Sequence, residues 1–404
     1  MKKKDHSVSR RKFLTSAILG STGLVAGVNS ASAKPHQPRN KRHKKVVYRT
    51  LGKTGIRVPV VGMGKLPVDN PRLVKAALDN GIVFIDTALM YYSGRHEKMI
   101  SKVLKDYPRD YYVIATKIKP PGYSYKTGLY SKKATEESFL KKFDVSMKNL
   151  GLDHVDILYH HDVVTREAAL YEPVLNAMRK IKESGRAKHL GVSTHKNEPE
   201  MIRAAIESGV YEIILTSYNF KQDHIADLNK AIKEAAAAGL GIVGMKNLAG
   251  GFLDKEKKKP VNAKAALRWA LQNPDISAVV PGFTNFEQLE ECVEVLHNLK
   301  MNKKEKDDLL LASKETGMYC NACSKCVAEC KKELPVPELM RAYMYTYGYR
   351  RIEQAQDLLL SLNVEQSPCI DCDECTVECV KDFDVAQKIS DVTRLVDVPR
   401  DFIV

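Results

Sequence analysis

The sequence predicts an α/β chain in which a (β/α)₈ barrel is followed by a smaller, mainly helical domain. Three observations carry this expectation. Over about 260 residues, short β-rich apolar runs alternate strictly with longer amphipathic ones, which suits one barrel of eight units. Glycine closes many of the amphipathic runs, at Gly81, Gly151, Gly185, Gly209 and Gly239, where a left-handed C-cap is expected. Eight of the nine cysteines then crowd into the segment after residue 312, on either side of a stripe of Leu, Met and Tyr.

From the N-terminus, residues 1–33 read as an export leader. Met1 to Lys12 is basic, FLTSAILGSTGLVAGVNS is mildly apolar, and Ala31-Ser32-Ala33 offers a small-residue cleavage site. Ser9-Arg10-Arg11-Lys12-Phe13-Leu14 resembles the twin-arginine motif, so the twin-arginine translocase is the expected partner and a periplasmic or other extracytoplasmic location the expected destination. The apolar stretch is too short, and too rich in Gly, Ser and Thr, to read as a membrane span. Residues 34–46 are a basic linker. Its KPHQPRNKRHKK run is most simply solvated and flexible, with contact to an anionic lipid or polymer as the alternative. Of the formal charge of +15, the leader carries +5 and Lys34–Lys45 another +6, which leaves +4 for residues 46–404. The body of the protein is therefore not strongly basic, and nothing else points to nucleic acid.

The barrel is expected over residues 47–312. Its strand candidates are VPVVGMG, IVFIDTA, YYVIATKI, VDILYHH, AKHLGVS, EIILTSY, LGIVGMK and ISAVVPG. Its helix candidates are PRLVKAALDNG, HEKMISKVLKDY, ATEESFLKKFDVSMKNLG, YEPVLNAMRKIKESG, EPEMIRAAIESG, HIADLNKAIKEAAAAG, AKAALRWALQN and NFEQLEECVEVLHNL. An open doubly wound sheet also alternates, but it needs a glycine-rich phosphate loop after its first strand. Gly62-Met63-Gly64 lacks the rest of that loop.

Barrel chemistry sits at the C-terminal ends of the strands. At three successive strand ends stand Asp86, Lys117 and His161, with Tyr91 in the loop after Asp86. An acid, an ammonium, an imidazole and a phenol at one mouth make a proton-donating site. Tyr titrates near pH 10, so the expectation is that Lys117, held by Asp86, lowers the Tyr91 pKa, while His161 bonds the oxygen that receives the proton. Each residue also has a plain structural explanation, as cap, loop aromatic, solvated lysine or core histidine.

From Tyr48 to about Lys300 the sequence resembles the aldo/keto reductases. YRTLGKTGIRVPVVGMG is similar to their opening hairpin and first strand, and DTALMYYSGRHE to their Asp-Thr-Ala-x-x-Tyr loop with Gly94 and Glu97. GVSTH, SYN, GMKNLAGG and ALRWALQNPDISAVVPG fit later strands. The resemblance implies a TIM barrel oxidoreductase acting on a small carbonyl or sugar-like substrate through Asp86, Tyr91, Lys117 and His161, with His160 the alternative histidine. It also implies NAD(P) bound near Ser193, Gly282 and Gln288. This chain departs from the family pattern there: Asn285 stands in place of the arginine that grips the 2′-phosphate, Cys292 in place of an asparagine, and Leu215 in place of a carboxamide-binding glutamine. The loss of that cation removes the preference for NADPH.

Residues 313–404 carry Cys320-x-x-Cys323-x-x-Cys326-x-x-x-Cys330 and Cys369-x-x-Cys372-x-x-Cys375-x-x-x-Cys379. This is the thiolate spacing of two-cluster ferredoxins, in which the fourth cysteine ligates the other cluster. It implies two 4Fe-4S clusters in a ferredoxin-like domain, one on Cys320, Cys323, Cys326 and Cys379, its twin on Cys369, Cys372, Cys375 and Cys330, with an outside redox partner. Lys331 and Val380 replace the proline usual after the fourth cysteine. Structural zinc and disulfides are the alternatives. Cys292, alone in a helical stretch, reads as a buried small side chain. Between the quartets, VPELMRAYMYTYGYRRIEQAQDLLLSL reads as helix, although Tyr343, Tyr345, Tyr347 and Tyr349 recur at every second position and suit no single face. Two functions follow from these features: an oxidoreductase whose clusters pass electrons, or an iron–sulfur electron-transfer protein on a barrel that has become a scaffold.

Overall fold

A computed structural model describes residues 45–364, 368–370, 372 and 375–403. The segments expected to be an export leader and, but for its last two residues, a basic linker lie outside the described residues.

Seven parallel strands form one curled sheet in chain order: β3 (Phe84–Asp86), β4 (Val113–Ile118), β5 (Val155–His160), β6 (Ala187–Thr194), β7 (Ile213–Ser217), β8 (Gly241–Met245) and β9 (Ile276–Val279). Ahead of them a hairpin pairs β1 (Tyr48–Thr50) with β2 (Arg57–Pro59). The expected first barrel strand, VPVVGMG, is not a regular strand. Instead the segment 60–64 bridges both edges of the sheet, Val61 with Val279 of β9 and Met63 with Ile85 of β3. Gly62 N donates to Val279 O at 2.8 Å and Met63 N to Phe84 O at 2.8 Å, so single bridges close the curl where a ladder was expected.

All eight expected helices form. Those that matter below are α1 (Pro71–Asp79), α2 (Arg95–Leu104), α3 (Glu136–Leu150), α4 (Glu172–Glu183), α5 (Glu198–Ser208), α6 (Ile225–Ala238), α7 (Ala263–Gln272) and α8 (Phe286–His297). Their starts and stops follow local chemistry. The Thr135 hydroxyl accepts from Ser138 N to cap α3, and Gly151 ends that helix at φ 63°, a conformation other residues adopt only at a cost.

The strand period of two decides what faces the barrel axis. Phe84, Ala115, Ile157, Tyr159, Ile213, Leu215, Val243 and Ala278 fill the interior together with Leu51 of the hairpin, all fully buried. Leu51 comes from the opposite end of the strands, where Lys53 N donates to Gly239 O at 2.8 Å. The hairpin thus plugs the bottom of the barrel and leaves the C-terminal ends of the strands for a site.

After α9 (Lys303–Lys314) the chain builds a second, all-helical core. It contains α10 (Lys325–Glu329), α11 (Val336–Tyr343), α12 (Ile352–Leu362) and α13 (Val385–Thr393), with no strand among the described residues. The long helix expected between the cysteine quartets is broken. A π-turn at Met344–Gly348 follows α11, and the chain bends through Tyr349–Arg351 before α12. The wider π-turn resolves the tyrosine alternation. Tyr343 and Tyr347 pack on each other at 4.5 Å between ring centroids, whereas Tyr345 and Tyr349 turn toward the barrel mouth.

Candidate active site

The same alternation that fills the barrel places the site. One step above Phe84 comes Asp86, above Ala115 comes Lys117, and above Ile157 and Tyr159 comes His161, each an inward position at a strand's C-terminal end. His160 points outward instead. Its Nδ1 donates to Tyr211 Oη at 3.0 Å, since that hydroxyl's own proton goes to Ala169 O, and its Nε2 accepts from Tyr130 Oη at 2.7 Å. It is a satisfied core histidine, and His161 is the one the mouth receives.

The four predicted residues meet. Lys117 Nζ donates to Asp86 Oδ2 at 2.6 Å and to Thr87 O at 2.7 Å, and stands 3.5 Å from Tyr91 Oη. The Tyr91 and His161 rings meet edge-on at 6.1 Å. Lys117 and Asp86 are 1% and 3% exposed. Burial raises the Asp86 carboxyl and lowers the Lys117 ammonium, and the contact between them pulls both back toward the ion pair. Burial likewise holds His161 well below its ordinary value, so it is a neutral hydrogen-bonding group.

One expectation fails. Tyr91 is not made more acidic: burial pushes it well above the usual phenol value, and the Asp86 charge adds to the rise. The Lys117 charge is already engaged by Asp86 and Thr87 O. Tyr91 therefore remains a protonated phenol, with an ammonium close enough to favour the tyrosinate formed once its proton is given up. Just beyond it Tyr92 and Ser93 have φ of 50° and 51°, and Asp162 and Lys246 at the same mouth have φ of 55° and 56°. Such strained backbone in non-glycine residues gathers at functional sites.

The mouth is roofed by the C-terminal helices. A cavity of about 130 Å³ lies between the two, lined on the barrel side by Asp86, Tyr91, His161, Lys65 and Lys246 and on the roof side by Arg341, Tyr345, Tyr349, Arg351 and Gln354. Asp162 Oδ1 accepts from Arg341 Nη1 at 3.0 Å and Asp162 Oδ2 from Lys119 Nζ at 3.3 Å, which ties α11 to the residue after His161. Sequence reasoning missed the whole roof. The signal was absent, because nothing local marks Arg341 or Arg351 as facing a barrel.

A larger open groove of about 1,060 Å³ lies beside this chamber, lined by Phe283, Asn285, Gln288 and Cys292 among others. Leu248, Pro281, Gly282, Tyr349 and Arg351 line both spaces and so form the wall between them. At Gly282 an added Cβ would come within 2.0 Å of Arg351 Nη2. The three residues expected to hold a dinucleotide are thus dispersed. Gly282 stands in the wall, Gln288 in the groove with its Oε1 accepting from Thr284 N at 2.8 Å, and Ser193 is buried with its hydroxyl accepting from Asp162 N at 2.9 Å. Asn285 is engaged as the α8 cap, accepting from Gln288 N.

The cysteines fall into two sets. Cys330, Cys369, Cys372 and Cys375 line one cavity beside Val336, Val385 and Ile389. In the other set, burial pushes the Cys320 thiol up to about 12, and the neighbouring Cys326, Cys379 and Cys323 add to the rise. No disulfide joins any of the eight. Among the described residues no three His, Cys, Asp or Glu side chains converge on the position of a single metal ion, and no helix is long and apolar enough to cross a membrane.

Comparison with known proteins places the barrel. The model of the aldo/keto reductase family matches residues 67–265, a span that contains Asp86, Tyr91, Lys117 and His161. Over this span the chain is an aldo/keto reductase. It is 28% identical to an L-galactose dehydrogenase of Arabidopsis thaliana over 63% of this chain and 90% of that protein. It is 26% identical to an L-glyceraldehyde 3-phosphate reductase of Escherichia coli over 66% and 92%. Among solved structures, aldo-keto reductase AKR11C1 from Bacillus halodurans superposes with a TM-score of 0.55 at 19% identity, covering 67% of this chain and 97% of its own. This aldo/keto reductase is an oxidoreductase, and the family's common use of NAD(P)H is compatible with the groove beside its chamber.

Proposed function

We propose that the protein interconverts a small carbonyl compound and its alcohol in the roofed chamber, with Tyr91 as proton donor. The observation that carries this reading is the convergence of Asp86, Lys117, Tyr91 and His161 on one cavity. A carbonyl oxygen seated there takes a hydrogen bond from neutral His161 and a proton from Tyr91. A bound reduced donor, a nicotinamide or the iron–sulfur clusters, would supply the two electrons and a second proton that complete the alcohol and would itself be oxidised, while the Lys117 ammonium stabilises the tyrosinate until it is reprotonated. Asp86, 2.6 Å away, favours the charged form of Lys117 against the burial that opposes it. The relatives named above act, by their names, on a sugar and on a phosphorylated triose, and a small polar substrate fits the size of the chamber.

The reading extends to two 4Fe-4S clusters, to NAD(P) and to export by the twin-arginine route. The grouping of Cys330 with Cys369, Cys372 and Cys375, and of Cys379 with the first three cysteines of the other run, supports exchange of the fourth ligands. Bound there, clusters would supply single-electron transfer to or from an outside partner. The wall at Gly282 favours a second reading, an electron-transfer protein on a barrel that has become a scaffold, because it separates the chamber from the groove.

The deciding experiment screens small aldehydes, ketones and aldoses with NADH, NADPH and a reduced ferredoxin-type donor, on wild type and Tyr91→Phe. Carbonyl reduction should fall on the order of a hundred- to ten-thousand-fold in Tyr91→Phe with the fold intact. Activity equal in the two proteins would establish the scaffold reading.

A further inference from the structure

We infer that the chamber selects a substrate carrying an oxyanion, a carboxylate or a phosphate ester, held between Lys65 of the barrel and Arg351 of the roof while its carbonyl reaches Tyr91. This rests on the chamber being the reaction site. The charges facing the chamber carry the inference. Each carboxylate is matched: Asp86 by Lys117, Asp162 by Arg341 and Lys119, and Asp357 by Arg400. The nearby Glu338 and Glu353 are matched by Arg341 and Arg95. Three cations lining the chamber, Lys65, Lys246 and Arg351, have no carboxylate within ion-pairing distance among the described residues.

Lys65 is 4% exposed, and among the described residues its ammonium is set against aromatic faces, 3.7 Å from the Tyr92 ring centroid and 5.4 Å from that of Tyr91. Arg351 Nη2 donates to Lys65 O at 3.0 Å, the side chain's one hydrogen bond among the described residues, which brings the guanidinium to the same wall. Burial first, and then repulsion from Arg351, lower the Lys65 pKa to about 7, although Asp357 and Glu353 pull the other way. An oxyanion between them would relieve both costs through charge-assisted hydrogen bonds. Other buried polar atoms of the chamber also lack partners, among them Asp86 Oδ1, His161 Nδ1, His195 Nδ1, Asn247 Oδ1 and Gln354 Oε1. Buried polar atoms are rarely left unpaired, so the space is built for a polar guest. At about 130 Å³ it is close to the roughly 150 Å³ that accommodates a benzene molecule, so the guest is small. Lys65 stands close enough to Tyr91 for one small molecule to reach both.

Calorimetry on the full chain tests this with glycerol 3-phosphate, lactate and neutral glycerol. The phosphate ester or the carboxylate should bind while glycerol does not, and their ratio shows which oxyanion is preferred. Affinity should fall on the order of ten- to a hundred-fold in Arg351→Gln and in Lys65→Gln, recover in part in Arg351→Lys, and weaken with salt. Glycerol binding as well as the anions, or anion binding unchanged in both variants at native melting temperature, overturns the proposal. Tyr91→Phe separates the two claims. Anion binding by the wild-type protein with no turnover of any carbonyl leaves the oxyanion site standing and removes the reaction reading. Turnover that depends on Tyr91 but is equal for charged and neutral aldehydes removes the oxyanion site alone.

Discussion

At the scale of single residues, the chamber concentrates charged groups held against their solution preference. Lys65 is the clearest case. Burial and the neighbouring Arg351 and Arg95 lower its pKa to about 7, against the opposing pull of Asp357 and Glu353. An unfolded lysine titrates near 10.4, so between pH 7 and 10 the unfolded chain binds the extra proton and stability rises with pH. Below pH 7 the charge is kept in both states and the full penalty remains. Lys65→Met should therefore raise the melting temperature at pH 6 and lose most of that advantage by pH 10, measured by thermal unfolding across that range. A constant advantage at all pH values would mean that the ammonium is not the source of the cost. The Asp86–Lys117 pair behaves differently, because each charge has the other, and removing one would leave a buried charge uncompensated at about 3–5 kcal/mol.

Among the elements, the π-turn at Met344–Gly348 sets how closely the roof approaches. A Cβ on Gly348 would lie 2.5 Å from Gly250 O, and the Tyr349 hydroxyl accepts from Gly250 N at 3.0 Å. Gly348→Ala should force these two backbones apart, lower the urea midpoint and speed proteolysis of the C-terminal helices, without the pH dependence of the lysine variant. An unchanged midpoint would show that the contact tolerates a methyl group. The contrast with the barrel explains what was legible in the sequence. Strands and helices alternate with local periods, and the period of two carried Asp86, Lys117 and His161 to the mouth without any long-range information. The first barrel segment looked like a strand by composition but bridges its neighbours at single residues, since its pairing depends on both edges of a closed sheet. The broken helix at Tyr349–Arg351, and with it the roof, was illegible because its shape is set by Gly250, about 100 positions away in the chain.

For the whole molecule, the cysteines and the N-terminus make two independent demands. Anaerobically purified protein should hold about eight irons and eight labile sulfides per chain if both quartets carry four-iron clusters. Zinc in their place, or half that iron, would reject the two-cluster assignment by elemental analysis. Arg10→Lys combined with Arg11→Lys should leave the chain uncleaved in the cytoplasm, read by fractionation and the mass of the mature form, and normal export of that double variant would remove the twin-arginine assignment.

The hydrogen bond from Arg351 to Lys65 O joins positions 286 residues apart. Contacts of such separation are among the last a folding chain completes, because the entropy of closing the intervening loop must be met first. During synthesis the barrel residues of the chamber emerge well before Arg351. An unfinished chain holds Asp86, Tyr91, Lys117 and His161 but lacks the roof that shields them from water. The capacity to act is thereby tied to synthesis of the roof helices, with a later-made domain finishing the site of an earlier one.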